Sequence, residues 1–148
     1  KELGATIVHD PRVVWNTQDI VNTKGGIAVQ SKTGHAFIKQ KMRMSNAIYG
    51  GEISAHHYFK DFAFCDSGMI PWLLIWELLS HQNKSLSAII ADRKYLFPSS
   101  GEINFNVSDT SNCVELIKNL FSDRAFDRLS KCNLDTLSSV IIAILDLL

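Results

Sequence analysis

The sequence predicts an α/β domain with three layers, in which helices cover a mixed four-stranded sheet. Short runs of apolar and β-branched residues alternate with helix-length segments through residues 3–44, and two more strand-like runs follow. Parallel strands need a crossover connection, so this alternation indicates parallel pairs joined by helices. The last two strands lie close together in the chain and can pair as an antiparallel hairpin, which makes the sheet mixed.

Turn and capping residues separate the predicted elements. Asp10-Pro11 follows the first strand, and Gly25-Gly26 ends the first helix because glycine tolerates the left-handed conformation found at helix ends. Ser85 caps a later helix, which stops before Pro98. The predicted strands are 3–9, 27–30, 47–49, 57–64 and 102–107. The first predicted helix begins near residue 16, and the later helices are 34–44, 67–80, 85–96 and 111–124.

One helix is expected to form the centre of the core. Residues 67–80 are apolar almost all round, which is typical of a buried helix. Trp72 and Trp76 lie four residues apart, share one helix face and are expected in the core. We expect Cys65 to be buried as a small apolar side chain, and Phe37 to lie on the apolar face of the preceding helix.

The composition excludes several kinds of function. The chain has 148 residues, of which 46% are hydrophobic and 20% charged, as in an ordinary globular domain. Lys+Arg and Asp+Glu number 15 each, so no net positive charge would attract nucleic acid, and no such partner is predicted. Three cysteines without C-x-x-C spacing indicate reduced thiols and a cytoplasmic location. No apolar run reaches the ~20 residues of a membrane span, so no membrane partner is predicted.

Residues 50–57, with the sequence G-G-E-I-S-A-H-H, concentrate polar groups between two predicted strands. The glycines allow a close approach of the backbone, and a carboxylate, a hydroxyl and two imidazoles follow them. Such a loop can offer several hydrogen bonds to a polyhydroxylated ligand. His56 and His57 are not expected to bind a metal together, because adjacent residues of a strand point to opposite faces.

Three motifs occur in order: K-T-G-H at 32–35, G-E-I-S-A-H at 51–56 and C-D-S-G-M-I-P at 65–71. Together they resemble the α-D-phosphohexomutases, the phosphomannomutase/phosphoglucomutase family, and in particular its bacterial phosphomannomutase-like members. The resemblance covers about residues 4–122 and implies the α/β fold of that family's third domain.

The resemblance implies a division of the chain. Residues 1–97 are expected to be the third, sugar-binding domain of the family, and residues 98–148 the truncated start of its C-terminal domain with an atypical helical tail. The phosphoserine and metal-binding loops of the family are absent from the sequence. The resemblance therefore predicts a fragment that works with the remaining domains of a parent enzyme and is inactive alone.

The reaction implied for the parent is an isomerisation of mannose 6-phosphate and mannose 1-phosphate by intramolecular phosphoryl transfer. A hexose 1,6-bisphosphate is the implied intermediate, Mg²⁺ the implied cofactor, and GDP-mannose biosynthesis the implied pathway.

Residue by residue, the resemblance implies a substrate-binding set and neither a catalytic residue nor a metal ligand in this chain. Glu52 matches a carboxylate that accepts hydrogen bonds from two sugar hydroxyls, with Ser54 beside it. His35 matches a histidine near the sugar, and Arg12 a basic residue facing the cleft, while the role of His56 stays open. The expected substrate-binding residues are Arg12, Lys32, His35, Glu52, Ser54 and His56.

Other functions remain open from the sequence. The parent could be a phosphoglucomutase, because glucose and mannose share the hydroxyls that this loop would contact. The chain could also be a non-catalytic α/β module that binds a sugar or another protein. An apolar tail, with V-I-I-A-I-L at 140–145, predicts self-association of an isolated fragment.

Overall fold

The computed structural model describes residues 3–98 and 106–120, which belong to two compact units, 1–98 and 99–148. In the first unit, helices and strands alternate up to a hairpin and then two helices follow. Its elements are β1 (Thr6–His9), α1 (Trp15–Thr23), β2 (Ile27–Gln30), α2 (His35–Met44), β3 (Tyr49–Gly51), β4 (His57–Phe59), a 3₁₀ turn (Lys60–Phe62), β5 (Cys65–Asp66), α3 (Met69–His81) and α4 (Leu86–Leu96). The described part of the second unit contains α5 (Thr110–Leu120).

The strands form one mixed sheet in the order β2-β1-β3-β4-β5. β1 pairs in parallel with β2 and with β3, whereas β3–β4 and β4–β5 are antiparallel. The predicted mixed α/β fold is confirmed, but the sheet has five strands rather than four. The additional strand is β5, which adds Cys65 opposite Phe59.

The two parallel connections run in opposite directions along the sheet. β2 lies on one side of β1 and β3 on the other. Because such crossovers are right-handed, α1 and α2 cover opposite faces of the sheet. The gap between β1 and β3 is therefore a topological switch point, where open α/β sheets bind ligands at the carboxyl ends of their strands.

The core lies between α2 and one face of the sheet. It consists of Val8, Ile38, Met42, Ala47 and Tyr58, all fully buried. The backbone of β3 approaches α2 closely at a neighbouring glycine. A Cβ at Gly50 would lie 2.6 Å from Sδ of Met42 and 2.8 Å from Cγ2 of Ile38, so the packing of helix on strand requires glycine there.

The expectation that α3 is the central buried helix is wrong. None of its residues is buried, and Trp72 and Trp76 are 50% and 61% exposed, with their rings packed edge to face at 5.3 Å. A helix that is apolar on every side does not indicate which side packs, and α2 already fills the core. Two smaller expectations also fail, because Phe37 is exposed on α2 and Cys65 is exposed on the edge strand β5.

Several element ends differ from the prediction. The third strand includes both glycines of the polar loop. The fourth ends at Phe59 because the 3₁₀ turn begins at Lys60, and Ala63 and Phe64 then take left-handed φ angles of 53° and 58°. The Ser85 cap is confirmed, since its hydroxyl accepts the N–H of Ala88 at 3.2 Å. Most of the predicted strand 102–107 and all of the tail after residue 120 lie outside the described residues.

Candidate functional site

Polar side chains gather at the carboxyl ends of the three parallel strands. Asp10 and Arg12 follow β1, residues 31–35 follow β2, and Glu52 follows β3. Two of these groups, those after β1 and β3, flank the switch point of the sheet. This edge is therefore the place to look for a ligand site.

Glu52 is a buried carboxylate whose two oxygens are held by different parts of the chain. Glu52 is only 7% exposed. Oε1 accepts the backbone N–H of Gly34 at 2.7 Å, and Oε2 accepts the hydroxyl of Tyr58 at 2.7 Å. Because a carboxylate offers about four acceptor positions, two remain for a ligand. Through Glu52, the K-T-G-H and G-E-I-S-A-H segments are joined in one site.

The loop between β3 and β4 is a tight hairpin turn. The N–H of Glu52 donates to the carbonyl of His56 at 3.0 Å, and the N–H of Ala55 donates to the carbonyl of Glu52 at 3.1 Å. Ala55 takes a left-handed φ of 63°, the conformation that closes a three-residue hairpin loop. Ser54 is exposed in this turn.

His56 is oriented by a carboxylate on the edge strand. Its Nδ1 lies 2.7 Å from Oδ2 of Asp66, whose Oδ1 accepts the N–H of His57 at 2.8 Å. Burial raises the pKa of Asp66, but the hydrogen bonds from His56 and His57 and the charges of His56 and His35 outweigh it and hold that pKa below its usual value. With Nδ1 engaged, Nε2 of His56 is the nitrogen left for a ligand.

His35 completes a small aromatic cluster around the carboxylate. Its ring centroid lies 4.7 Å from that of His56 and 5.8 Å from that of Tyr58, the latter edge-on. His35 begins α2, directly after the glycine that donates to Glu52.

Arg12 is fixed at the base of the hairpin by Asp10, which is fully buried. Nη2 and Nε of Arg12 donate to Oδ2 of Asp10 at 2.7 and 3.2 Å, and its backbone N–H donates to Oδ1 at 2.7 Å. The N–H of Ile53 also donates to Oδ2, at 3.2 Å. Asp10 thus ties β1 to the polar loop, and the guanidinium keeps further donors for a ligand.

His9 lies behind this group and is also buried. Its Nδ1 is 2.8 Å from the carbonyl of Asp10, and its Nε2 has no hydrogen-bond partner in the described part of the chain. Burial lowers the pKa of His9, and the hydrogen bond to Asp10 and the charge of that residue only partly oppose the shift. The imidazole is therefore neutral near pH 7, with Nδ1 as the donor.

The structure brings three of the six expected residues together: His35, Glu52 and His56. Arg12 is linked to the same loop through Asp10, which also accepts the N–H of Ile53. Lys32 and Ser54 are exposed, as His35 is, but neither of the two is hydrogen-bonded to this group within residues 3–98. Nζ of Lys32 lies 5.7 Å from the ring centroid of Phe37.

Sequence reasoning missed Tyr58 and the role of Asp66. Tyr58 follows His56 by two positions, so strand alternation could have placed both on one face. Asp66 was not identifiable in this way, because it reaches His56 only through the pairing of β5 with β4.

The resemblance assigns its implied Mg²⁺ to other parts of the parent enzyme and not to this chain. Across residues 3–98 and 106–120, no group of three or more His, Cys, Asp or Glu side chains could hold a metal ion. The chemistry of these residues is hydrogen bonding and charge, suited to holding a polar ligand. No helix in the same ranges has the length and apolarity needed to cross a bilayer.

Comparison with known proteins identifies the family. Residues 1–95 match the family described as "Phosphoglucomutase/phosphomannomutase, alpha/beta/alpha domain III". The chain belongs to the phosphoglucomutase/phosphomannomutase family. The resemblance seen in the three motifs is thereby confirmed over the first unit.

Individual relatives agree with this assignment. A phosphomannomutase of Escherichia coli is 59% identical over 118 residues, covering 80% of this chain and 26% of that protein. A phosphomannomutase of Vibrio cholerae serotype O1 is 61% identical over 118 residues, covering 79% and 26%. The X-ray structure of a phosphoglucomutase/phosphomannomutase family protein from Burkholderia thailandensis is 29% identical with a TM-score of 0.57, covering 84% of this chain and 25% of that one. The chain thus spans about a quarter of the length of the relatives it matches.

Proposed function

We propose that this chain is the sugar-binding part of a phosphomannomutase, which interconverts mannose 6-phosphate and mannose 1-phosphate. In this proposal, residues 1–97 act as the third domain of the enzyme and residues 98–148 begin its C-terminal domain. The relatives named phosphomannomutase, at 59% and 61% identity, support the choice of mannose over glucose phosphates.

The buried carboxylate of Glu52 carries the proposal. It lies at the switch point of the sheet, and both of its oxygens are already oriented by protein donors at 2.7 Å. Sugar hydroxyls donate readily to a carboxylate, and such charge-assisted hydrogen bonds are about twice as strong as neutral ones. A pre-oriented carboxylate at this place suits the recognition of neighbouring hydroxyls on a hexose ring.

The surrounding residues supply the other contacts that a hexose phosphate needs. His56 and His35 present ring nitrogens and ring edges beside Glu52, and Arg12 presents a guanidinium from the base of the hairpin. Ser54 and Lys32 stand at the exposed rim, where a hydroxyl and an ammonium group can contact a bound sugar phosphate.

The phosphoryl transfer itself is assigned to other parts of the longer enzyme. Those parts would supply the phosphoryl donor and the Mg²⁺ site, and the hexose 1,6-bisphosphate would be the intermediate that turns over between them. The described residues would hold the sugar hydroxyls in both orientations. We place the enzyme in the cytoplasm, in the supply of mannose 1-phosphate for GDP-mannose.

The proposal is tested with Glu52→Gln in the complete enzyme that contains this sequence. Loss of the charged acceptor should lower kcat/KM for mannose 1-phosphate at least tenfold, because such hydrogen bonds contribute about 1.5–3 kcal/mol. The matched control is Glu77→Gln on α3, which removes an exposed carboxylate and should leave kcat/KM unchanged.

An unchanged kcat/KM in Glu52→Gln would remove Glu52 from the site and overturn the proposal. Measuring the same constants with glucose 1-phosphate decides between the two sugars. A higher kcat/KM for glucose 1-phosphate would favour a phosphoglucomutase instead.

A further inference from the structure

We propose that Tyr58 is a positioning residue, whose hydroxyl fixes the direction in which Glu52 offers its remaining acceptor positions to the sugar. This inference rests on the proposed function, since it assigns a task to a residue that acts through Glu52.

Tyr58 is itself held firmly in place. It is fully buried, and it shares the core cluster with Ile38 and Met42 of α2. It lies at the centre of the short strand β4, in register with Gly50 on one side and Asp66 on the other. Because buried side chains in a close-packed core occupy single rotamers, the phenol hydroxyl has a fixed position.

The two donors on Glu52 together define the plane of its carboxylate. The N–H of Gly34 comes from the segment before α2, and the hydroxyl of Tyr58 comes from β4, each at 2.7 Å and each on a different oxygen. The terminal torsion of a glutamate is broad when it is unrestrained. Two fixed donors remove that freedom before a ligand arrives, so less entropy is lost on binding.

The phenol can act only as a donor toward Glu52. Burial, and then the hydrogen bond and the charge of Glu52, raise the pKa of Tyr58 above its usual value. The hydroxyl therefore keeps its proton near pH 7 and donates a hydrogen bond to Oε2 of Glu52. The remaining lone pairs of Glu52 stay available for sugar hydroxyls, which must approach as donors.

The Tyr58 ring also contacts another candidate site residue. His35 lies edge-on to it with ring centroids 5.8 Å apart. The same ring is therefore in contact with the core on one side and with the site on the other.

The test uses Tyr58→Phe in the complete enzyme, because this change removes the hydroxyl and keeps the ring. We expect kcat/KM for mannose 1-phosphate to fall roughly tenfold. The matched control is Tyr49→Phe on the neighbouring strand. The Tyr49 hydroxyl contacts Nδ1 of His57 at 2.6 Å, and His57 is not among the proposed substrate-binding residues. Loss of this hydroxyl should therefore change kcat/KM less than twofold.

A double-mutant cycle distinguishes positioning from a general structural effect. If Tyr58 acts through Glu52, adding Tyr58→Phe to Glu52→Gln should cost less than twofold further, because the group it orients has already been changed. A further tenfold loss in that background, or a wild-type kcat/KM in Tyr58→Phe alone, would overturn the inference.

Failure of the inference and failure of the proposed function give different results. If Glu52→Gln leaves kcat/KM unchanged, the proposed site is wrong, whereas a defective Glu52→Gln with a normal Tyr58→Phe rejects the role of Tyr58 alone. A second measurement needs no variant: adding mannose 1-phosphate to the wild-type enzyme should shift the NMR signal of the Tyr58 hydroxyl proton. The absence of a shift at saturation would also overturn the inference.

Discussion

Nδ1 of His56 and Oδ2 of Asp66 lie 2.7 Å apart, across the pairing of the hairpin with the edge strand β5. The other oxygen of Asp66 accepts the backbone N–H of His57 at 2.8 Å. One carboxylate thus holds both the imidazole and the end of the polar loop. A two-residue strand at the edge of the sheet is what gives His56 its orientation.

The Asp66→Asn variant should reveal this arrangement through its pH dependence. Asp66 has a lowered pKa in the folded protein, so its stabilisation is present above the unfolded value of about 3.9 and is lost as the pH falls through the folded value. We expect Asp66→Asn to be less stable than wild type at pH 7 by up to about 1 kcal/mol, a usual upper value for an exposed pair. The difference should shrink in acid, as measured by urea unfolding between pH 7 and pH 3.

The control for this measurement is Asp92→Asn, which breaks the ion pair of Asp92 with Lys84. Both side chains are well exposed, at 61% for Asp92 and 57% for Lys84. It should change the free energy of unfolding less than Asp66→Asn does at pH 7. A difference between wild type and Asp66→Asn that stays constant down to pH 3 would contradict the assigned role of the Asp66 carboxylate.

Gly50→Ala should destabilise the fold through a steric clash with α2. The added Cβ would lie 2.6 Å from Met42 and 2.8 Å from Ile38, both buried, so strand and helix would have to separate. Overpacking of this kind costs about 1–3 kcal/mol. The free energy of unfolding in urea measures the loss.

Gly68→Ala is the matched control, because a Cβ there meets nothing within 4 Å. Its effect on the free energy of unfolding should be small. Equal losses in the two variants would show that the clash at Gly50 is relieved and that close packing on α2 does not require the glycine.

Local signals predicted much of the first unit. The order of strands and helices follows from alternating pattern and capping, and the cap at Ser85 is one such signal that the structure confirms. Gly50 was predicted to allow another part of the protein to approach the backbone closely, and in the structure helix α2 packs against it. Pattern alone could not specify what approaches, because that depends on packing between distant parts of the chain.

The prediction and the structure differ where the structure depends on contacts between distant parts of the chain. The two residues of β5 are too few to show a strand period, so only pairing with β4 reveals them. Helix α3 is apolar on all sides, so its sequence gave no direction for packing and its exposure was not foreseen. Strand alternation could have placed Tyr58 on the same face as His56, but its contact with Glu52 depends on the β3–β4 register, which the sequence pattern does not specify.

Buried His9 should make the fold less stable in mild acid. Its pKa is lowered in the folded protein, chiefly by burial, and its Nε2 is buried without a partner in the described ranges, so a proton there would remain unpaired. The unfolded chain takes up that proton near pH 6.5, so the free energy of unfolding should decrease as the pH falls from about 6.5 through the folded pKa. Within that window the slope due to His9 cannot exceed that of one proton, about 1.4 kcal/mol per pH unit. Urea unfolding between pH 5 and pH 8 measures how the free energy of unfolding depends on pH. The His9→Asn variant should flatten this dependence. The control His81→Asn, at the exposed end of α3, should retain it. A wild-type slope that survives in His9→Asn would assign the titration to another group.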